Sequence, residues 1–163
     1  MDSGSTPYKV LFLCTGNSAR SIFAEYLLRR MGGPRFDVHS AGSFPAGKVN
    51  PFAIRVLEDV YHINAAQAHS KSWEEFEGVE FDFVITVCDN ARESCPVWPG
   101  QPIVAHWGSP DRALAEGNDE IVYRTFKQVA LEIRRRVELF TSLPFDKLSR
   151  LKLASMTNEI GNK

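Results

Sequence analysis

A cysteine, a glycine, an arginine and two serines fall within one eight-residue run, Cys14-Thr15-Gly16-Asn17-Ser18-Ala19-Arg20-Ser21. The apolar residues Val10-Leu11-Phe12-Leu13 precede it, and a helix-like stretch from Ile22 to Met31 follows. Between a strand and a helix, backbone N–H groups lack intrahelical partners and can converge on an anion. Gly16 allows a tight turn through positive φ, and concave arrays of such N–H groups bind anions. Arg20 adds a planar fork matched to two oxygens of the anion. The same positive potential favours a thiolate at Cys14, and Ser18 and Ser21 are placed to donate hydrogen bonds to it. The chemistry is attack by a thiolate on phosphate or a phosphate-like oxyanion, cradled by Thr15, Gly16, Asn17, Ser18, Ala19, Arg20 and Ser21.

The elements that must position this loop follow from the apolar pattern. Residues 9–13, 36–40, 81–87 and 102–107 read as strands. The helix after Ser21 buries Ala24, Leu27, Leu28 and Met31 and stops at Gly32-Gly33-Pro34. Asn50 caps a second helix, with Pro51 at its first position, that reaches about Tyr61. A short acidic helix surrounds Trp73-Glu74-Glu75-Phe76. The long helix from Asn118 to Phe140 carries Val122, Phe126, Val129, Ile133, Val137 and Phe140 as one stripe. Arg134-Arg135-Arg136 reads as its solvated face. Beyond Pro144 the chain either forms a short extra helix or frays.

Strands alternating with helices imply an α/β fold: a single three-layer domain whose four-stranded parallel sheet is flanked by helices. The domain is expected over residues 8–142, with 1–7 and 143–163 as terminal tails. Ligands of such sheets bind at the carboxyl ends of the strands, near the switch in strand order. In the order 2-1-3-4, strands one and three are neighbours, roughly 4.8 Å apart. Cys14 and Cys88 then share one sheet edge, and Asp111, after strand four, lies near it.

The bulk numbers exclude several classes. A net charge of −1 argues against a nucleic-acid surface, and no apolar run is long enough for a membrane span. The first residues lack the basic and apolar regions of a secretion signal. The three cysteines therefore point to thiol chemistry in a cytoplasmic protein rather than to a disulfide framework. Cys88, Cys95, His69 and His106 could be drawn as zinc ligands of a sensor, but the cysteine spacing is too wide for a compact ligand pair. The Gly-Lys-Ser/Thr ending of a nucleotide-binding P-loop is absent.

From Lys9 to about Phe140 the chain resembles the low-molecular-weight protein tyrosine phosphatase family, and within it the arsenate reductases of the same fold. The segments that carry the resemblance are Cys14 to Ser21, His39-Ser40-Ala41-Gly42, Val87-Cys88-Asp89 through Cys95-Pro96, His106-Trp107-Gly108, and Asp111. The anion loop is common to both branches; Cys88 together with Cys95 distinguishes the reductases. The resemblance implies a relay for arsenic detoxification. Cys14 attacks arsenate held by the loop amides and Arg20, while Asp111 protonates the departing oxygen. Cys88 then attacks Cys14 and releases arsenite, and Cys95 attacks Cys88 to leave a disulfide for an external reductant. Thioredoxin fits that disulfide; glutaredoxin with glutathione is the other route. The alternative reading is a phosphatase that hydrolyses phosphomonoesters through a Cys14 phosphoenzyme.

Two further expectations complete the reading. A disulfide needs Cα atoms within about 7 Å, whereas seven residues of helix span roughly 10.5 Å, so the segment from Cys88 to Cys95 is a loop or unwinds on oxidation. Some relatives bind potassium beside the anion loop, and Glu25 and Ser40 match that site. Lys71 falls where an acidic ligand would be wanted and could replace the cation, so no metal and no cofactor are expected. Arg112 stands where the family usually has proline, and no aromatic residue follows Asp111.

Overall fold

β1 (Tyr8–Cys14) contains the apolar run that precedes the loop, and Val10, Leu11, Phe12 and Leu13 are all 0% exposed. A strand buried on both faces belongs in the middle of a parallel sheet. It lies there in the computed structural model, which describes residues 6–88, 95, 98–108 and 117–162. β1 is flanked by β2 (Phe36–Gly42) on one side and β3 (Phe83–Thr86) on the other, with β4 (Ile103–His106) beyond β3. All neighbours are parallel, as the alternation of elements predicts, and the order is the expected β2-β1-β3-β4. The register sets Cys14 against Gly42 and Leu13 against Thr86, which brings three strand ends to one edge.

The helices form where capping and periodicity direct them. α1 (Arg20–Gly32) is buried continuously from Ser21 to Leu28 and packs on β1, β2 and α3 (Asp119–Thr141). α2 (Pro51–Asp59) is capped by Asn50, whose side chain accepts from the Phe52 N–H at 2.9 Å. Asn118 caps α3 in the same way through the Ile121 N–H. All six residues of the expected α3 stripe are buried. Among the described residues no helix is long and apolar enough to cross a membrane.

The reading of Arg136 as solvated is corrected. It is 9% exposed, and its guanidinium donates to the Trp107 carbonyl at 2.9 Å and to the Gly161 carbonyl at 3.4 Å. The reason is a further helix, α4 (Arg150–Ile160), which turns the end of α3 into an interior surface. Ser149 caps α4 by accepting from the Lys152 N–H. Leu153, Thr157 and Ile160 face inward. Asn158 Oδ1 accepts from the His106 N–H at 3.2 Å, and Trp107 Nε1 donates to the Thr157 carbonyl at 3.0 Å. Arg150 donates to the Gln101 carbonyl. α4 thus covers the outer edge of β4, a strand margin that would otherwise be open to pairing.

Candidate active site

The run from Cys14 to Ser21 joins β1 to α1 at the carboxyl edge of the sheet. Its carbonyls are turned outward and tied down. Those of Cys14, Thr15, Gly16 and Ser18 accept from the N–H groups of Ser43, Phe44, Ala46 and Asn50 at 2.9–3.1 Å. Ser70 Oγ also donates to the Gly16 carbonyl at 2.8 Å. With the acceptors directed away, the loop amides are left for the concave side. Ala19, at the N-cap of α1, offers no side-chain cap and the first turn holds no acidic residue, so the N-terminus of the helix keeps its donors and its positive end. Arg20 is the first residue of α1 and is half-buried.

The residue in the left-handed region is Asn17, with φ of 48°, not Gly16. Asparagine tolerates that region better than other side-chain-bearing residues. Here its side chain compensates fully: Nδ2 donates to Ser21 Oγ at 2.8 Å and to Ser40 Oγ at 3.0 Å, and Oδ1 accepts from the Lys71 N–H at 2.9 Å. The glycine that the loop does require is Gly42, which sequence reasoning missed. A methyl group there would press on the Thr15 carbonyl and the Asn17 backbone. Its signal was its place in the segment His39-Ser40-Ala41-Gly42, three residues after His39, at the end of a strand facing the loop.

Cys14 is 4% exposed, and its sulfur lies 3.3 Å from the Asn17 N–H and 3.1 Å from Ser21 Oγ. Because Asn17 Nδ2 already donates to Ser21 Oγ, the Ser21 hydroxyl hydrogen is free to point at the sulfur. Two donors on one sulfur suit a thiolate. Ser18 contributes its carbonyl to the Asn50 tether, rather than a hydroxyl bond to Cys14.

Cys88 follows β3 and is buried, with its sulfur 3.4 Å from Thr15 Oγ1. The second thiol therefore touches the residue next to the first. Cys95 is half-buried, and burial pushes its thiol up, an effect that the Trp98 side chain partly offsets. None of the three cysteines is held in a disulfide. Asp111 and Arg112 lie outside the described residues, as does the segment 89–94 expected to remodel.

Behind the loop, Glu25 and Ser40 are both buried, and Ser40 Oγ donates to Glu25 Oε1 at 2.5 Å. Lys71 Nζ stands 4.0 Å from the same oxygen and donates to the His69 carbonyl at 3.0 Å. Arg29 pairs with the other Glu25 oxygen.

The pattern of the low molecular weight phosphotyrosine protein phosphatase family matches residues 9–142. The arsenate reductase of Halalkalibacterium halodurans is 37% identical over 131 residues, covering 80% of this chain and 93% of that protein. Among solved structures, an arsenate reductase from Archaeoglobus fulgidus is similar with a TM-score of 0.64 and 30% identity, over 82% of this chain and 99% of the other. A thioredoxin-dependent arsenate reductase from Corynebacterium glutamicum gives a TM-score of 0.57 and 25% identity over 83% of this chain, which spans 64% of that neighbour's length. The chain belongs to the low molecular weight phosphotyrosine protein phosphatase family, in its arsenate reductase branch.

Proposed function

We propose that this protein reduces arsenate to arsenite in the cytoplasm through Cys14, Cys88 and Cys95, with thioredoxin as the final reductant. The observation that carries the reading is the contact between Cys88 Sγ and Thr15 Oγ1 at 3.4 Å. It puts a second thiol against the loop that binds the oxyanion.

The Cys14 thiolate forms a bond to arsenic while one oxygen leaves as water, protonated by Asp111. Loop amides and the Arg20 guanidinium balance the charge on the remaining oxygens. Cys88, as thiolate, attacks the Cys14 sulfur. The sulfur–arsenic bond breaks, its electron pair goes to arsenic, and arsenite departs from a Cys14–Cys88 disulfide. Cys95 then attacks Cys88, freeing the Cys14 thiolate and leaving a Cys88–Cys95 disulfide. A thioredoxin dithiol reduces that disulfide and is itself oxidised. Asn17 shapes the loop and takes no part in bond making.

The test is the Cys88→Ser variant, assayed for arsenate turnover with thioredoxin and its reductase, and separately for p-nitrophenyl phosphate hydrolysis. Loss of the first with retention of the second is expected. Retained arsenate turnover would refute the relay. Vigorous phosphoester hydrolysis with no arsenate turnover by the parent protein would establish the phosphatase reading instead. Replacing thioredoxin by glutathione with glutaredoxin identifies the reductant.

A further inference from the structure

The relay makes no use of the charge cluster behind the anion loop. Glu25 is 4% exposed and Lys71 8%. Ions at such depth are costly unless paired. Arg29, which takes one Glu25 oxygen, is 44% exposed in its side chain, so Lys71 is the cation on the buried side. From there the contacts run without a break. Glu25 Oε1 faces Lys71 Nζ and accepts from Ser40 Oγ; Ser40 Oγ accepts from Asn17 Nδ2; Asn17 Nδ2 also reaches Ser21 Oγ, which touches Cys14 Sγ. Asn17 is the left-handed residue on which the loop turns. The main-chain ties of Lys71, its N–H to Asn17 Oδ1 and its carbonyl to the Gly42 N–H, do not depend on its side chain. A cavity of about 280 Å³ borders the cluster, with Glu25 and Lys71 in its lining.

We propose that the Lys71 ammonium is a built-in monovalent cation that holds Glu25 and, through Ser40 and Asn17, positions the Cys14 loop, which makes Lys71 a positioning residue for the attack on the oxyanion. The proposal rests on the reading of Cys14 as the oxyanion nucleophile. Its consequence is that the protein works without any dissolved monovalent cation, and that removing the side chain creates a demand for one, which can enter through the adjoining cavity.

The experiment uses a Cys88→Ser, Cys95→Ser parent, in which Cys14 is the one thiol and the readout is independent of turnover. Alkylation of Cys14 by iodoacetamide is followed with and without arsenate, in tetramethylammonium buffer and then in potassium or ammonium buffer of equal ionic strength. Arsenate protection of the parent is expected to be indifferent to the cation. In Lys71→Ala and Lys71→Met, protection in tetramethylammonium weakens by about tenfold or more. Potassium or ammonium restores most of it in Lys71→Ala but not in Lys71→Met, whose side chain fills the space. Unchanged protection in both variants, potassium stimulation of the parent, or equal rescue of both variants overturns the proposal. Should Lys71→Ala not fold, the nearly isosteric Lys71→Met and the cation indifference of the parent still decide it. Absence of arsenate protection in the parent would refute the oxyanion reading of the loop itself, a distinct outcome.

Discussion

Gly42→Ala tests whether the placement of the anion loop, apart from its composition, sets its reactivity. Gly42 ends β2 directly opposite Cys14. An added methyl carbon would stand under 3.0 Å from the Thr15 carbonyl oxygen, 3.1 Å from the Asn17 nitrogen and 3.2 Å from Asn17 Cβ. None of these atoms is the tip of a flexible side chain, so the loop itself must retreat. Non-bonded contacts settle near about 3.5 Å, which requires a movement of about 0.5 Å or more. Reacting groups tolerate about that much, and a misplacement of about 1 Å costs about 100-fold. The expected fall in kcat/KM for arsenate is therefore about 10- to 100-fold, or about 1.4–2.7 kcal/mol of transition-state stabilisation. Overpacking should also lower stability by about 1–3 kcal/mol, a fall in Tm of about 3–10 °C at this chain length. The assay is thioredoxin-coupled turnover at 25 °C beside a thermal melt. Gly33→Ala is the control: its φ is +59°, nothing lies within 4 Å of the added methyl, and only backbone strain of about 1–2 kcal/mol is expected. A folded Gly42→Ala protein with undiminished kcat/KM would refute the reasoning.

Other consequences are equally direct. Ser21→Ala removes the hydroxyl 3.1 Å from the Cys14 sulfur; a hydrogen bond to a charged group is worth about 1.5–3 kcal/mol, so alkylation of Cys14 at neutral pH should slow by about tenfold or more, and an unchanged rate would exclude that bond. Burial raises the Cys95 thiol above its ordinary value, so at neutral pH it is mostly protonated and its attack should quicken by about tenfold per pH unit up to that raised value. Alkylation of Cys95 in a Cys14→Ser, Cys88→Ser protein measures this, and a plateau already reached below the ordinary thiol range contradicts it. Arg136→Met leaves the buried Trp107 carbonyl without its donor and should cost about 1–3 kcal/mol by urea unfolding. Combined with truncation after Ser149, the cost should be less than the sum; strict additivity would show that Arg136 and α4 do not act as a unit.

Much of the frame was legible because it is written in local patterns. The apolar run of β1, the caps Asn50 and Asn118 and the α3 stripe each specify their element within a few residues. The parallel sheet followed from their alternation, and the order 2-1-3-4 expected for a sheet of this kind put Cys14 near the end of β3. What stayed hidden depends on contacts between segments far apart in the chain. Asn17 holds the left-handed turn because residues 23 and 54 positions away satisfy its amide. Gly42 matters through what its neighbour on β1 does, which no local rule registers. Arg136 sits in a run of three arginines whose periodicity says surface, and only the docking of α4 makes that place interior. The match of Lys71 to a cation position was visible, but its link to Cys14 was not, since the link passes through four side chains from three elements.

The cover that α4 lays over β4 also has a meaning in time. Everything up to the end of α3, including all four strands, leaves the ribosome before α4 does. Until then the His106 N–H that Asn158 later satisfies is available to any extended chain nearby. The nascent protein is thus most prone to edge-to-edge association in the interval between completion of β4 and arrival of α4. The same window reopens in the mature molecule whenever α4 detaches by local unfolding.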